Sequence, residues 1–251
     1  MPQRVHIRRL LLAALIGIGV APGGAVAAAL LPNLAMAPIV DVRMAARDGR
    51  DQLRFSAIVA NLGEGPFELR SLRSGRGARW TVQQRVADSA GPAALLPTAA
   101  RLVYATDGHD HWHVRDLAYY EVRRRGDGAL LRRNHKQGFC FYDTERVVGS
   151  SRPGPPRARY RFGNCGGRRS LGLTTGISVG WGDRYAWMLT DQFIDVTGLP
   201  PGTYRITAVA DEPGLFAESD ETDNATWVDV RLSRRGRTPS VRVVDRADPH
   251  P

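Results

Sequence analysis

The chain has 251 residues and a formal net charge of +10, from 35 basic and 25 acidic side chains. That length suffices for one sizeable hydrophobic core, and no proline- or serine-rich linker divides it, which argues against several independent domains. The positive charge is spread along the chain. Together with the export predicted next, it argues against nucleic acid as a partner and favours an anionic cell-envelope surface.

The N-terminal residues have the pattern of a secretory signal peptide. Arg4, Arg8 and Arg9 precede the apolar run 10–21, and small residues then lead to Ala27. The apolar run is shorter than a bilayer span, although an uncleaved membrane anchor stays the alternative. The sequence therefore predicts a signal peptide at 1–27, one domain at 28–235, a basic C-terminal extension at 236–251, and a secreted, extracellular protein.

Hydrophobic patterning predicts strands rather than helices. Apolar residues alternate over 53–60, and Gly-Asp-Gly at 126–128 predicts a hairpin turn. No segment keeps a helical period over three turns. The predicted fold is all-β, an antiparallel β-sandwich with little helix and long loops, of which 146–169 is the longest. The other predicted strands are 80–86, 101–106, 112–124, 130–133, 138–142, 192–196, 203–210 and 225–232.

The only two cysteines are Cys140 and Cys165. An exported chain meets oxidising conditions, under which a pair of cysteines is more often bridged than free. The sequence therefore predicts a disulfide between them, which would stabilise the fold by about 3 kcal/mol if unstrained.

Three of the six histidines, His109, His111 and His113, alternate with other residues over five positions. On a strand, alternate residues point to one face, and three neutral imidazoles there form a ligand set for copper or zinc with an open coordination position. Because each extended residue advances about 3.3 Å, the segment must bend for the outer two rings to reach one ion. An exposed polar run is the other interpretation.

Lys136 is the only lysine in the chain, against 34 arginines. A high-GC codon bias explains the excess of arginine but not this exception. Arginine is not deprotonated in proteins, whereas a lysine amine can become a nucleophile. Lys136 is therefore predicted to be kept for its chemistry, with survival by chance as the alternative.

Three segments occur in a characteristic order: the alternating histidines, HKQGFC at 135–140, and GISVGWGDRY at 176–185. With the signal peptide and QFIDVTGLP at 192–200, they resemble the catalytic domain of the lysyl oxidase family. Members of that family are copper amine oxidases that build a lysine tyrosylquinone cofactor from their own lysine and tyrosine. The likeness covers about 31–232.

The resemblance implies that His109, His111 and His113 bind Cu²⁺, and that Lys136 and Tyr185 are the catalytic residues that become the cofactor. Copper and O2 can oxidise a phenol to an ortho-quinone, which a lysine amine can attack and a guanidinium cannot. The implied substrates are O2 and a primary amine, either a small amine or a lysine side chain of a protein. The implied products are an aldehyde, ammonia and hydrogen peroxide.

The segment AESDETDN at 217–224 resembles the calcium-binding loop of the same family. The implied oxygen ligands are Glu218, Asp220, Asp223 and Asn224, with Asn33 and Leu34 near the start of the domain. The family has aspartate where Asn33 stands, and animal members have asparagine where Asp223 stands, so the exchange conserves the ligand charge. Hard oxygen ligands in a tight turn suit Ca²⁺; a solvated acidic loop is the alternative.

Three other classes of protein fit parts of the pattern. A cupin-type oxygenase requires a glutamate shortly after the second histidine, and none follows His113. A zinc hydrolase leaves Lys136 and Tyr185 unexplained. The main alternative is a non-catalytic exported β-sandwich module for adhesion or binding, with a metal site, because 199–224 also resembles repeats of bacterial surface modules.

Overall fold

The computed structural model describes residues 28–105, 110–115, 117–135 and 138–248, so the predicted signal peptide lies outside the described residues. Within these ranges the protein consists of eighteen strands and one short 3-10 turn, η1 (Phe162–Cys165). The same ranges contain no helix long and apolar enough to cross a membrane. The predicted all-β fold is confirmed.

The first nine strands in chain order are β1 (Ala29–Leu30), β2 (Leu34–Met36), β3 (Val40–Arg47), β4 (Arg50–Asn61), β5 (Phe67–Leu72), β6 (Thr81–Asp88), β7 (Ala94–Pro97), β8 (Leu102–Tyr104) and β9 (Trp112–Val114). The remaining nine are β10 (Ala118–Arg124), β11 (Leu130–His135), β12 (Glu145–Arg146), β13 (Gly172–Ile177), β14 (Trp181–Tyr185), β15 (Phe193–Asp195), β16 (Gly202–Ala210), β17 (Ala225–Arg235) and β18 (Thr238–Arg246).

These strands form three antiparallel sheets and one two-stranded ladder. The first sheet has the order β1-β6-β5-β13, with β7 also paired to β6. The second has the order β11-β10-β16-β17-β18, and the third β12-β14-β4-β15, with β2 and β3 also paired to β4. The ladder joins β8 to β9 and carries the histidine segment.

Apolar side chains from all three sheets meet in one continuous core. Phe67 lies edge-on to both Phe141 and Phe216, with ring centroids 4.9 Å apart in each pair. Phe55 and Tyr120 make the same kind of contact at 4.9 Å. Such aromatic pairs contribute about 0.5–1.5 kcal/mol beyond the burial of their area. This core fixes the strands that surround the histidine segment.

Most of the predicted strands are confirmed, since β4, β6, β8, β10, β11, β15, β16 and β17 each cover at least part of a predicted segment. The predicted hairpin at 126–128 joins β10 to β11, and Gly128 has the positive φ of 70° that such a turn requires. The predicted long loop is also present, interrupted only by η1. The unpredicted strand β18 lies in the segment interpreted as a basic extension and pairs with β17.

Two of the predicted strands are corrected by the structure. The segment 138–142 forms no strand, and only Phe139 makes a bridge, to Val114. Its other backbone groups bind separate partners: the Cys140 N–H donates to the Tyr185 hydroxyl, and the carbonyl of residue 141 accepts from Gly176. The predicted strand 112–124 is divided into β9 and β10, because the chain leaves the ladder with β8 and pairs next with β16.

Candidate metal and cofactor site

Two of the three predicted metal-binding histidines are described, and their rings meet. His113 lies in β9 and His111 directly precedes that strand. Their Nε2 atoms are 2.8 Å apart, and each residue is only 6% exposed. Asp110, which directly precedes His111, has a positive φ of 50°. His109 itself lies outside the described residues.

The paired imidazoles fit a metal ion. Two nitrogens that bind one ion at about 2.0 Å, with a right angle between the two bonds, lie about 2.8 Å apart. The separation of the two Nε2 atoms matches this value, and it is also the length of a hydrogen bond between two neutral imidazoles. The described residues contain no cluster of three His, Cys, Asp or Glu side chains that could hold a metal. The third predicted ligand, His109, is not among them.

The segment that follows Lys136 packs directly against the histidine strand. Gly138 lies so close to His113 that a Cβ added to the glycine would be 2.4 Å from the Cβ of the histidine. The next residue, Phe139, exchanges two backbone hydrogen bonds with Val114, at 2.7 and 2.9 Å. Lys136 lies outside the described residues. Residues 138 and 139, which follow it in the sequence, therefore pack on the strand that carries the two histidines.

Tyr185 lies on the other side of the same segment. Its ring centroid is 4.2 Å from that of Phe139, and its hydroxyl accepts a hydrogen bond of 3.0 Å from the Cys140 N–H. Burial raises the pKa of the phenol well above its ordinary value, and the Asp183 carboxylate adds to the shift. The phenol therefore keeps its proton at neutral pH.

The predicted disulfide is present and ties the long loop to the site. Cys140 and Cys165 are bridged, with Cα atoms 5.6 Å apart, and the described part of the chain has no free cysteine. The bridge brings η1 to the histidines, where the Phe162 ring lies edge-on to His111 at 4.9 Å and is 5.8 Å from Tyr142. The loop therefore forms one wall of the site.

Asp143 fixes the base of this loop, although no sequence signal distinguished it. One carboxylate oxygen accepts the Ser178 N–H at 2.7 Å, and the other accepts the Ser178 hydroxyl at 2.8 Å. The second oxygen also accepts the N–H groups of Arg159 and Tyr160, at 2.7 and 3.2 Å. A buried carboxylate with four donors holds the loop and the GIS segment together.

The predicted calcium loop closes on the start of the domain. The Glu218 carboxylate accepts hydrogen bonds from the Leu34 N–H and, at 3.3 Å, from the Asn224 side chain. The Asn33 side chain donates to Asp223 at 2.9 Å. Asp220 instead accepts from the backbone and hydroxyl of Thr222, on the exposed side of the loop.

Three oxygens in this cluster are buried and have no hydrogen-bond partner among the described residues: Oδ1 of Asn33, Asp223 and Asn224. Leaving a buried acceptor unsatisfied costs about 1–3 kcal/mol. Burial also raises the pKa of Glu218 to about 8. Two carboxylates and two amides with three spare oxygens are a donor set that suits a hard cation such as Ca²⁺.

Gly138→Ala is expected to weaken copper binding by about 10–100-fold, the usual effect of disturbing a residue that supports a metal ligand. The added methyl must displace His113, since it has only 2.4 Å of space. Copper affinity measured by competition with a chelator tests this. In the control, Gly75→Ala, nothing lies within 4 Å of the new Cβ, and the affinity should not change. Unchanged copper affinity in Gly138→Ala would contradict the placement.

Comparison with known proteins supplies an independent result. Residues 78–238 match the family model described as lysyl oxidase. Lysyl oxidase homolog 3 of Homo sapiens is 32% identical over 137 residues, which is 54% of this chain and 16% of that protein. Lysyl oxidase homolog 3A of Danio rerio is 33% identical over 117 residues, 47% of this chain and 14% of that protein.

Protein-lysine 6-oxidase of Homo sapiens is 29% identical over 152 residues, which is 60% of this chain and 33% of that protein. The chain thus spans between 14% and 33% of the length of these three relatives. The family model, in contrast, matches well over half of the chain, including the described histidines, the disulfide and Tyr185. The chain belongs to the lysyl oxidase family.

Proposed function

We propose that the protein is a secreted copper amine oxidase that converts primary amines to aldehydes with O2 and water, releasing ammonia and hydrogen peroxide. The observation that carries the proposal is the packing of 138–140 between two predicted parts of the site. Gly138 contacts His113, whereas Phe139 and Cys140 contact Tyr185. Lys136 lies only two residues before Gly138 in the sequence, and the proposal requires its amine to reach both.

His109, His111 and His113 would hold the copper ion, and Lys136 and Tyr185 would supply the lysine tyrosylquinone. Together these groups supply a two-electron oxidation of an amine by O2. The chain's own part is to position the precursors. Phe139 packs on the Tyr185 ring, the Cys140 N–H fixes its hydroxyl, and burial keeps the phenol protonated.

Peptide mapping of the copper-loaded protein tests the proposal. We expect one crosslinked peptide that contains both Lys136 and Tyr185, together with peroxide release that depends on added amine. Because the chain has a single lysine, the crosslinked lysine is unambiguous. Recovery of both residues in separate, unmodified peptides from copper-loaded protein would contradict the proposal. The exported binding module with a metal site would then be favoured.

The class of substrate is proposed from the names of the relatives. The name of protein-lysine 6-oxidase places lysine side chains of proteins first among the amines to be tested, with small primary amines next. Secretion is proposed from the N-terminal pattern, which also matches the presence of the disulfide.

We also propose that Glu218, Asp223, Asn224 and Asn33 hold a calcium ion. The three unpartnered buried oxygens support this, because a cation would supply the kind of partner that each of them lacks. A cation would also favour the charged form of Glu218, which burial alone disfavours. Asp220 is expected to contribute less, since its carboxylate already binds Thr222.

Calcium at a hundredfold excess over its Kd is expected to stabilise the protein by about 2.7 kcal/mol, which raises the Tm by about 5–10 °C for a chain of this size. The folded state of the calcium-free protein binds the Glu218 proton more tightly than the unfolded chain does. The contribution of Glu218 to stability is therefore greatest below about pH 4.5 and falls as the pH rises to about 8. The gain from calcium should grow over the same range. Differential scanning calorimetry at several pH values measures both trends.

Glu218→Gln keeps the shape of the side chain and removes its charge, and is expected to remove most of the calcium response. Glu221→Gln is the matched control, because Glu221 is exposed on the same loop and acts on Glu218 only through a weaker charge repulsion. An equal response to calcium in Glu218→Gln and in the unmodified protein would contradict the calcium site.

A further inference from the structure

A groove of about 660 Å3 lies beside Trp112, on the face of β9 opposite to the histidines. Four arginines and two tryptophans line it: Arg73, Arg76, Arg79, Arg101, Trp80 and Trp112. None of the residues that line the groove in the described part of the chain is acidic. A volume of this size is typical of a pocket for a small ligand.

Arg73 is the fixed centre of the groove. Its Cζ atom lies 4.7 Å from the ring centroids of both Trp80 and Trp112, and the residue is only 8% exposed. Its guanidinium donates to the backbone carbonyls of Ser170, Arg76 and Arg168, at 2.7–2.8 Å. All three acceptors are uncharged, so the guanidinium is held in place while its positive charge is not neutralised.

Arg76, Arg79 and Arg101 are exposed at the rim, and their guanidinium groups make no ion pair or hydrogen bond within the described ranges. Other arginines of the protein do have carboxylate partners, such as Arg205 with Asp229 at 2.8 Å. The buried indole N–H of Trp80 also lacks a hydrogen-bond partner in the described part of the chain. The groove therefore concentrates positive charge and unused donors.

We propose that this groove binds a ligand that carries several sulfate or phosphate groups. The planar guanidinium fork binds such oxyanions through two parallel hydrogen bonds. Four positive charges that have no acidic partner in the described part of the chain repel one another, so a ligand with several negative charges relieves more of this repulsion than a single ion does. The site lies across β9 from the histidines and does not depend on amine oxidation.

Titration of the copper-loaded protein with sucrose octasulfate at low ionic strength tests the proposal. Trp80 and Trp112 lie in the groove, so binding should change tryptophan fluorescence, and calorimetry gives the Kd. Sucrose should give no signal. Inorganic sulfate at matched sulfate concentration should bind more weakly than the octasulfate, and equal binding would contradict a ligand with several anionic groups.

Arg79→Glu and Arg101→Glu are each expected to raise the Kd for the octasulfate by about tenfold or more, because each replaces an attraction by a repulsion. Both residues are exposed, so each variant is expected to fold, and circular dichroism is the check. Arg242→Glu is the control, since it changes the net charge equally from an exposed position on β18. The proposal fails if the unmodified protein does not bind the octasulfate, or if Arg242→Glu weakens binding as much as the groove variants.

Discussion

The Lys136→Arg protein is expected to fold and to bind about one copper ion, yet to show no quinone absorbance and no amine-dependent peroxide. Arginine keeps the positive charge and nearly the size of lysine, so a lysine that only pairs with a carboxylate would tolerate the change. A guanidinium cannot lose its proton to attack an oxidised tyrosine ring. The measurements are metal content, the visible spectrum and peroxide release with a primary amine.

A second variant separates the position of the lysine from its presence in the chain. Combining Lys136→Arg with Arg133→Lys keeps a single lysine but moves it to β11, where the native Arg133 pairs with Glu212 at 2.9 Å. This double variant is expected to stay inactive. Amine oxidation by either protein at the native rate would exclude a quinone built on Lys136.

The Tyr185→Phe protein is expected to lose the same activity for a different reason. The ring that packs on Phe139 is kept, so the core should survive, but there is no hydroxyl to oxidise. The Cys140 N–H also loses its acceptor, which should lower the free energy of unfolding by about 1–3 kcal/mol. Urea unfolding and peroxide release are the two measurements.

Tyr120→Phe is the matched control for this variant. Tyr120 is also buried, and its hydroxyl accepts a hydrogen bond from the Gln192 side chain at 3.1 Å, so the same oxygen is deleted at a similar structural cost. The Tyr120→Phe protein should retain the amine oxidase activity. Equal activity of Tyr185→Phe and Tyr120→Phe would show that the Tyr185 hydroxyl takes no part in the chemistry.

The strands with strong alternation could be predicted from the sequence, and the others could not. β10 and β16 carry apolar side chains at alternate positions, which period-two patterning detects. β14 has the sequence Trp-Gly-Asp-Arg-Tyr. It pairs with β4 only because Gly182 lies against the side chain of Ile58, and no sequence pattern predicts that contact. β18 is exposed along most of its length, so its arginines resemble those of a solvated tail in the sequence. The segment is a strand because it pairs with β17.

For the site, residue type and spacing predicted the histidine segment, because alternation on a strand forces His111 and His113 to one face. The disulfide followed from the number of cysteines and the predicted export. The supporting residues could not be found in this way. Phe162 and Asp143 support the site through a loop whose path depends on the bridge at Cys165. Gly138 supports it only because β9 passes within contact distance of this glycine.

Cys140 takes part in two contacts at once: its sulfur is bonded to Cys165, and its N–H holds the phenol of Tyr185. In a chain with reduced thiols, packing and the backbone hydrogen bonds of residues 139 and 141 alone would keep that N–H beside the phenol. We therefore expect maturation to follow an order, with thiol oxidation first, copper uptake second and cofactor formation last. On the proposed route of export, a newly made chain with reduced thiols would then lack the cofactor until its disulfide had formed.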